Sequence, residues 1–215
     1  MNSPASWRNA RNDVNLTPQS VAKAIRRPSV KVIPTAIPDV LIFEPTIHGD
    51  HRGFFLETWR ESSFEEIVPA QRFVQDNHSK SGKGILRGLH YQLTQPQGKL
   101  VRVIAGEIYD VAVDMRRTSP TFGHWVGVTL SADSHRQLWV PPGFAHGFVV
   151  TSASAEMVYK CSDYYNPSDE HSLLWNDPAL AISWPLSEAG IEAPVLSDKD
   201  RNGRHFADAL AYETS

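Results

Sequence analysis

The sequence predicts an all-β domain of the sandwich or barrel type, with short helices at its C-terminal edge. Three observations carry this. Short apolar stretches recur from Val32 to about Trp184, and such runs at regular spacing mark many short strands. Gly, Pro and Asp punctuate them, as turns require. Helix signals are confined to one internal segment and to the region after Trp184.

Taken in order, residues 1–31 are polar and weakly periodic. They read as a flexible N-terminal arm, or one ordered only against a partner subunit. Within them residues 19–25 suit a short helix, bracketed by Pro18 and Pro28. Residues 40–43 predict a strand, 48–53 a turn and 54–59 the next strand. Ser63 and Glu66 have the spacing of a capping box, so a helix is expected from Ser63, and Pro69 ends it. Further strands are expected at 73–75, 84–92, 99–105, 107–115, 125–130, 137–140, 147–150 and 156–161. Asn176-Asp177-Pro178 opens a turn with proline suited to a first helical position. Beyond Trp184 the chain reads as helical, with a helix start in Leu196 to Asp200.

Bulk properties narrow the function classes. A length of 215 residues fits one domain, or one domain with arms. A net charge of −3 without a basic stripe argues against nucleic-acid binding. No apolar run approaches membrane-spanning length. Cys161 is the sole cysteine, so no intrachain disulfide forms and a reducing compartment is expected. The N-terminus lacks a signal-type apolar core. These points together predict a cytoplasmic protein.

The chemistry concentrates in Arg87-Gly88-Leu89-His90-Tyr91-Gln92 and the nearby Gly98-Lys99-Leu100-Val101-Arg102. A guanidinium, an imidazole and an ammonium on one hairpin suit proton removal from carbon and stabilisation of the resulting oxyanion. Strand alternation places Leu86, Gly88, His90 and Gln92 on one face. In the strand 107–115, Ile108, Asp110, Ala112 and Asp114 share a face opposite Tyr109, Val111, Val113 and Met115. Periodicity leaves two readings open: a polar barrel interior around a ligand, or the solvent side of a sheet.

A metal is not expected. Jelly-roll cupins hold metal through Gly, five residues, His-x-His, a Glu, and later Pro-x-Gly-x-x-His. Gly84 and His90 fit the start, and Pro141, Gly143 and His146 fit the later element. Gln92 occupies the second histidine position, and no glutamate follows at the needed distance. Two histidines are too few for a set of about four ligands. No cofactor is expected either.

Several motifs in one order resemble the dTDP-4-dehydrorhamnose 3,5-epimerase family, metal-free cupins. They are Gly49-Asp50-His51-Arg52-Gly53-Phe54-Phe55, Phe73-Val74-Gln75-Asp76-Asn77-His78-Ser79, Arg87-Gly88-Leu89-His90 and Gly98-Lys99-Leu100-Val101-Arg102. Pro141-Pro142-Gly143-Phe144-Ala145-His146-Gly147-Phe148, Leu173-Leu174-Trp175-Asn176-Asp177-Pro178 and Leu196-Ser197-Asp198-Lys199-Asp200 continue the match. The resemblance implies a cupin-type jelly roll over residues 32–185 carrying the catalysis, and a helical segment 186–215 completing the site. It implies His90 as base in a dyad with Asp200, Lys99 near the sugar C4 oxygen, and Tyr159 as acid. Arg52, Glu57, Gln75, Asn77, Arg87, His146, Glu170 and Lys199 match substrate-contact positions, and Tyr165 a residue stacked on thymine. The implied partners are a dTDP-4-keto-6-deoxyhexose and a second copy of the chain in a homodimer. His48 departs from the family, which commonly has phenylalanine there.

Other readings remain open beside these. Ser197 and Asp200 also have capping-box spacing, so Asp200 is open to a purely structural role. Tyr159 alternates with Val158 and is open to a core role, and His146 to that of a leftover fold element. The activity implied is inversion at C3 and C5 of the sugar. Inversion at one centre, and a non-catalytic sugar-nucleotide-binding cupin, are the alternatives.

Overall fold

The computed structural model describes residues 30–213. The predicted helix at residues 19–25, and the arm up to residue 29, lie outside them. Thirteen strands and two short α-helices follow. The first strands are β1 (Val30–Pro34), β2 (Leu41–Pro45), β3 (Ile47–Asp50) and β4 (Gly53–Leu56). Helix α1 (Glu61–Ile67) separates them from β5 (Gln75–Gly82), β6 (Leu86–Gln92), β7 (Lys99–Ala105) and β8 (Glu107–Asp114). Next come β9 (Trp125–Ser131), β10 (Gln137–Val140), β11 (Phe144–Val150), β12 (Ser154–Cys161), β13 (Glu170–Ser172) and α2 (Asp198–Arg201).

Two antiparallel sheets face each other as a cupin-type jelly roll. One has the order β1-β2-β10-β7-β12-β5 and the other β13-β6-β11-β8-β9. Their inner faces meet in one apolar cluster. It takes Val101, Val103, Leu138, Val140 and Met157 from the six-stranded sheet, and Ile108, Ala112, Phe148 and Val150 from the five-stranded sheet. Alternation along β7 explains the sorting: Val101 and Val103 turn inward with Lys99, while Leu100 packs outward. On that outer face α1 lays Phe64 against Phe43, Trp139 and Phe73. Burying a phenylalanine to this extent contributes about 2–3 kcal/mol.

Several expectations need correction. Residues 48–50 belong to β3, and the turn is confined to His51 and Arg52. The helix starts at Glu61 after Arg60, which makes no side-chain cap bond, so Ser63 lies inside it. The strand expected at 73–75 lies instead at Gln75–Gly82, eight residues long, with Phe73 and Val74 outside it. Its sequence, QDNHSKSG, has no β-branched or aromatic residue. It alternates in burial all the same, pairing with β12 from Ser154↔Gly82 to Cys161↔Gln75. Strand β13 had no sequence signal. After Trp184 turns dominate; the helical pieces are α2 and a 3₁₀ turn at Phe206–Asp208. Strand β1 begins at Val30, inside the segment expected to be arm.

The face assignment in β6 is also corrected. His90 pairs with His146 and Arg87 with Phe148, so Gly88 and Leu89 both stand opposite Gly147. This bulge breaks alternation. Leu86 therefore packs outward with Val149 and Ile191, whereas Arg87 joins His90 on the inner face. Gly88 has φ +114°, and a Cβ there would lie 2.5 Å from Gly147 Cα, so no other residue fits without moving β11.

Candidate active site

The apolar cluster fills one end of the interior. The other end opens into a cavity of two lobes, about 290 and 460 Å³, which share His90, Lys99 and Tyr159. His90 comes from β6 of the five-stranded sheet. Tyr159 on β12 and Lys99 on β7 come from the six-stranded sheet facing it. The polar face of β6 is thus interior.

His90 Nε2 lies 2.6 Å from Asp200 Oδ1. Asp200 is 3% exposed, and its carboxylate also accepts bonds from Gly88 N at 3.1 Å and from Ser197 Oγ at 2.6 Å. Burial pushes this carboxyl up, but the bonds from His90, Ser197 and Gly88 outweigh it and leave the pKa at about 2. An ionised carboxylate only accepts, so the proton sits on Nε2 and Nδ1 is left basic. The capping-box spacing is realised on the Ser197 side: Ser197 caps α2 by accepting the Asp200 N–H at 3.2 Å, while the Asp200 carboxylate turns to His90, Gly88 and the Ser197 hydroxyl.

Glu170 on β13 stands on the other side of the ring, its Oε1 3.7 Å from His90 Nδ1. It accepts bonds from Tyr165 Oη at 2.8 Å and from Lys199 Nζ. Burial raises its pKa, but Lys199 and Tyr165 bring it below the usual carboxylate range. The bond to Glu170, then burial, pushes the Tyr165 phenol up. Tyr165 is 51% exposed, leaving a ring free at the cavity edge.

Across the cavity, burial pushes the Tyr159 phenol up and the Lys99 ammonium down, the latter opposed by Glu170 and Asp110. Tyr159 therefore keeps its proton at neutral pH. The Lys99 ammonium has no hydrogen-bond partner among the described residues. Gln75 donates to Asn77 at 3.1 Å, Asn77 to Cys161 Sγ at 3.4 Å, and Arg87 Nε to Ser81 Oγ at 3.1 Å. His146 is buried and bonded to Asp110.

Two of the expected contact residues are not brought to this cavity. Arg52 sits in the β3–β4 turn and pairs with Asp50, on a hairpin whose Phe54 and Phe55 are 62% and 70% exposed. Glu57 accepts from Arg60 at 2.8 Å and lines a small hollow with Phe43, Phe64 and Leu100 on the outer side of the six-stranded sheet. Conversely, Cys161, Phe144 and Tyr212 line the cavity without having been singled out. The inward placing of Cys161 on β12 and Phe144 on β11 was readable only once strand partners were known, and Tyr212 reaches the cavity from beyond the last strand. Gln92, at the position of a cupin metal ligand, donates to the carbonyls of Gln95 and Tyr164. Among the described residues no group of three or more His, Cys, Asp or Glu is arranged to hold a metal ion.

A family model described as dTDP-4-dehydrorhamnose 3,5-epimerase matches residues 34–208. The chain belongs to this family. A Pseudomonas aeruginosa dTDP-4-dehydrorhamnose 3,5-epimerase is 57% identical over 185 residues, covering 85% of this chain and 99% of its own. A Salmonella typhimurium relative of the same name is 59% identical over 184 residues, covering 85% and 98%. A crystal structure of a Legionella pneumophila dTDP-6-deoxy-D-glucose-3,5-epimerase, in complex with dTDP-4-keto-L-rhamnose, superposes with a TM-score of 0.83. It is 50% identical and covers 86% of this chain and 99% of its own. The family's fold is the one described above.

Proposed function

We propose that the protein is a dTDP-4-dehydrorhamnose 3,5-epimerase. It inverts C3 and C5 of dTDP-4-dehydro-6-deoxy-D-glucose to give dTDP-4-dehydro-L-rhamnose. Family membership supports the reaction class. One geometric observation carries the mechanism: a carboxylate-held imidazole and a buried phenol stand on facing sheets of one cavity.

Both C3–H and C5–H are α to the C4 ketone, so loss of either proton sends its electron pair to the ketone oxygen as an enolate. His90 Nδ1 takes the proton. Asp200 holds the ring's tautomer and stabilises the imidazolium, as in other His–Asp pairs. Lys99 supplies positive charge for the enolate oxygen. Tyr159, held protonated by burial, returns a proton to the opposite face of the carbon and so inverts it. Arg87 and Lys199 suit the diphosphate, and Tyr165 offers its exposed ring to the base. Gln75, Asn77, His146 and Glu170 complete the contacts.

Arg52 and Glu57 fit this reading through a second copy. The enzyme acts as a homodimer in the cytoplasm, with the exposed Phe54 and Phe55 of the β3–β4 hairpin buried against the partner. Sedimentation of the intact chain as a monomer at working concentration would remove Arg52 and Glu57 from the site.

Incubation with the 4-keto substrate in deuterated water tests the reaction. Deuterium at both C3 and C5 is expected by NMR. Label at one position gives a single-centre epimerase instead, and label at neither overturns the enzyme reading.

A further inference from the structure

A second imidazole inside the cavity is also held by a carboxylate. Asp110 Oδ1 lies 2.8 Å from His146 Nε2. Asp110 is fully buried and His146 is 7% exposed. An ionised carboxylate has no proton to give, so this contact fixes the proton on Nε2 and leaves Nδ1 as the free nitrogen of a ring that lines the larger lobe. Asp110 Oδ2 is buried without any partner. Stability gives no reason for this arrangement. A buried acceptor left unpaired is destabilising, and apolar replacement of a buried charged pair is often neutral or better. The inner-face neighbours along β8, Ile108 and Ala112, are apolar.

The charges facing His146 sharpen the point. Lys80 on β5, Arg87 on β6, Lys99 on β7 and Lys199 on α2 line the same lobe and are cations. His90 and Tyr159 are its other titratable neighbours, and Asp200 is bonded to His90. Such a lobe suits an anion, yet its cations oppose a proton on His146. A neutral ring presents only a lone pair at Nδ1 and repels an anion. To donate to one it must be protonated on both nitrogens, and Asp110 is the anion bonded to it that supports that charge.

We propose that Asp110 is a positioning residue of the sugar-nucleotide site: through Nε2 it orients His146 and sustains its cationic form, so that Nδ1–H donates to the ligand's diphosphate. The proton comes from solvent when the anion binds. This rests on the reading that the cavity takes a sugar diphosphate, and it assigns a role to a residue that never touches the ligand.

The test uses the full chain, dTDP as probe, and long-range ¹H–¹⁵N spectra, with the His146 signals identified by their loss in His146→Gln. In free wild-type protein above the ring's titration, the proton is expected on Nε2 alone. With dTDP bound, both nitrogens are expected to be protonated. In Asp110→Asn the doubly protonated signature should vanish, and the dTDP dissociation constant should rise on the order of tenfold by calorimetry. A free wild-type ring protonated on Nδ1, or an Asp110→Asn protein that binds dTDP as wild type does, overturns the proposal. Should the variant not fold, the wild-type spectra decide alone. Wild-type protein that shows the expected His146 states but no deuterium exchange leaves this proposal standing and removes the epimerase. Wild-type protein that does not bind dTDP removes both.

Discussion

The two ends of the space between the sheets differ sharply although the same strands build both. β7 carries Val101 and Val103 into the core and Lys99 into the cavity. β8 contributes Ile108 and then Asp110, β11 Val150 and then His146, and β12 Met157 and then Tyr159. β7 and β12 pass from apolar to polar within one inner position, whereas Asp110 and His146 each stand between two apolar inner neighbours, Ile108 and Ala112 on β8, Phe144 and Phe148 on β11. The apolar end makes the polar end affordable: side chains that gain nothing from burial are held by strands whose other residues are locked in a packed core. Substitutions at the two ends should therefore fail in different assays.

The largest effect is expected in the polar half. His90→Asn should lower turnover by roughly 10²–10⁴-fold while the melting temperature stays near wild type. Tyr159→Phe should lose inversion to a similar extent yet still wash deuterium into substrate, because the base remains. A Tyr159→Phe protein that epimerises normally would remove the phenol from the mechanism. In the apolar half, Leu138→Ala should cost about 2–5 kcal/mol in denaturant unfolding, with kcat/KM little changed in the protein that stays folded. A loss below about 1 kcal/mol would mean that this end is not the rigid support described here.

The smallest effect lies at the carboxylate behind His90 in the polar half. Asp200 titrates at about 2 when folded, against an ordinary value of 3.8. Because the folded value is the lower one, its stabilisation is complete above the unfolded pKa and is lost as pH falls through the folded value. The contribution is about 2 kcal/mol. Asp200→Asn should flatten the fall in stability between about pH 4 and pH 2 and also impair turnover. An unchanged acid limb would mean that Asp200 is not ionised against His90.

Much of the fold was legible because β-branched and aromatic residues alternate in β7, β8 and β12. β5 was nearly invisible because its inner positions are Gln75, Asn77, Ser79 and Ser81, residues chosen for a cavity wall rather than for strand propensity. The C-terminal region misled for a related reason: Ser197 and Asp200 signal a helix correctly but not its brevity, which follows from Asp200 being tied to Gly88 and His90. Family motifs pointed to His90, Lys99, Tyr159 and Glu170 in one site. They also pointed to Arg52, which lies in the β3–β4 turn, bonded to Asp50 and away from that cavity. Asp110 went unassigned since one carboxylate among apolar neighbours looks alike whether it faces a core or a cavity.

The bulge at Gly88 acts as a phase change in β6. Upstream of it, even-numbered side chains such as Leu86 seal the outside of the barrel; downstream, even-numbered ones such as His90 face within. Straightening the bulge at constant chain length would restore plain alternation and turn the imidazole outward, leaving the outer seal at Leu86 untouched. The one extra residue opposite Gly147 thus decides which side of the barrel His90 reaches.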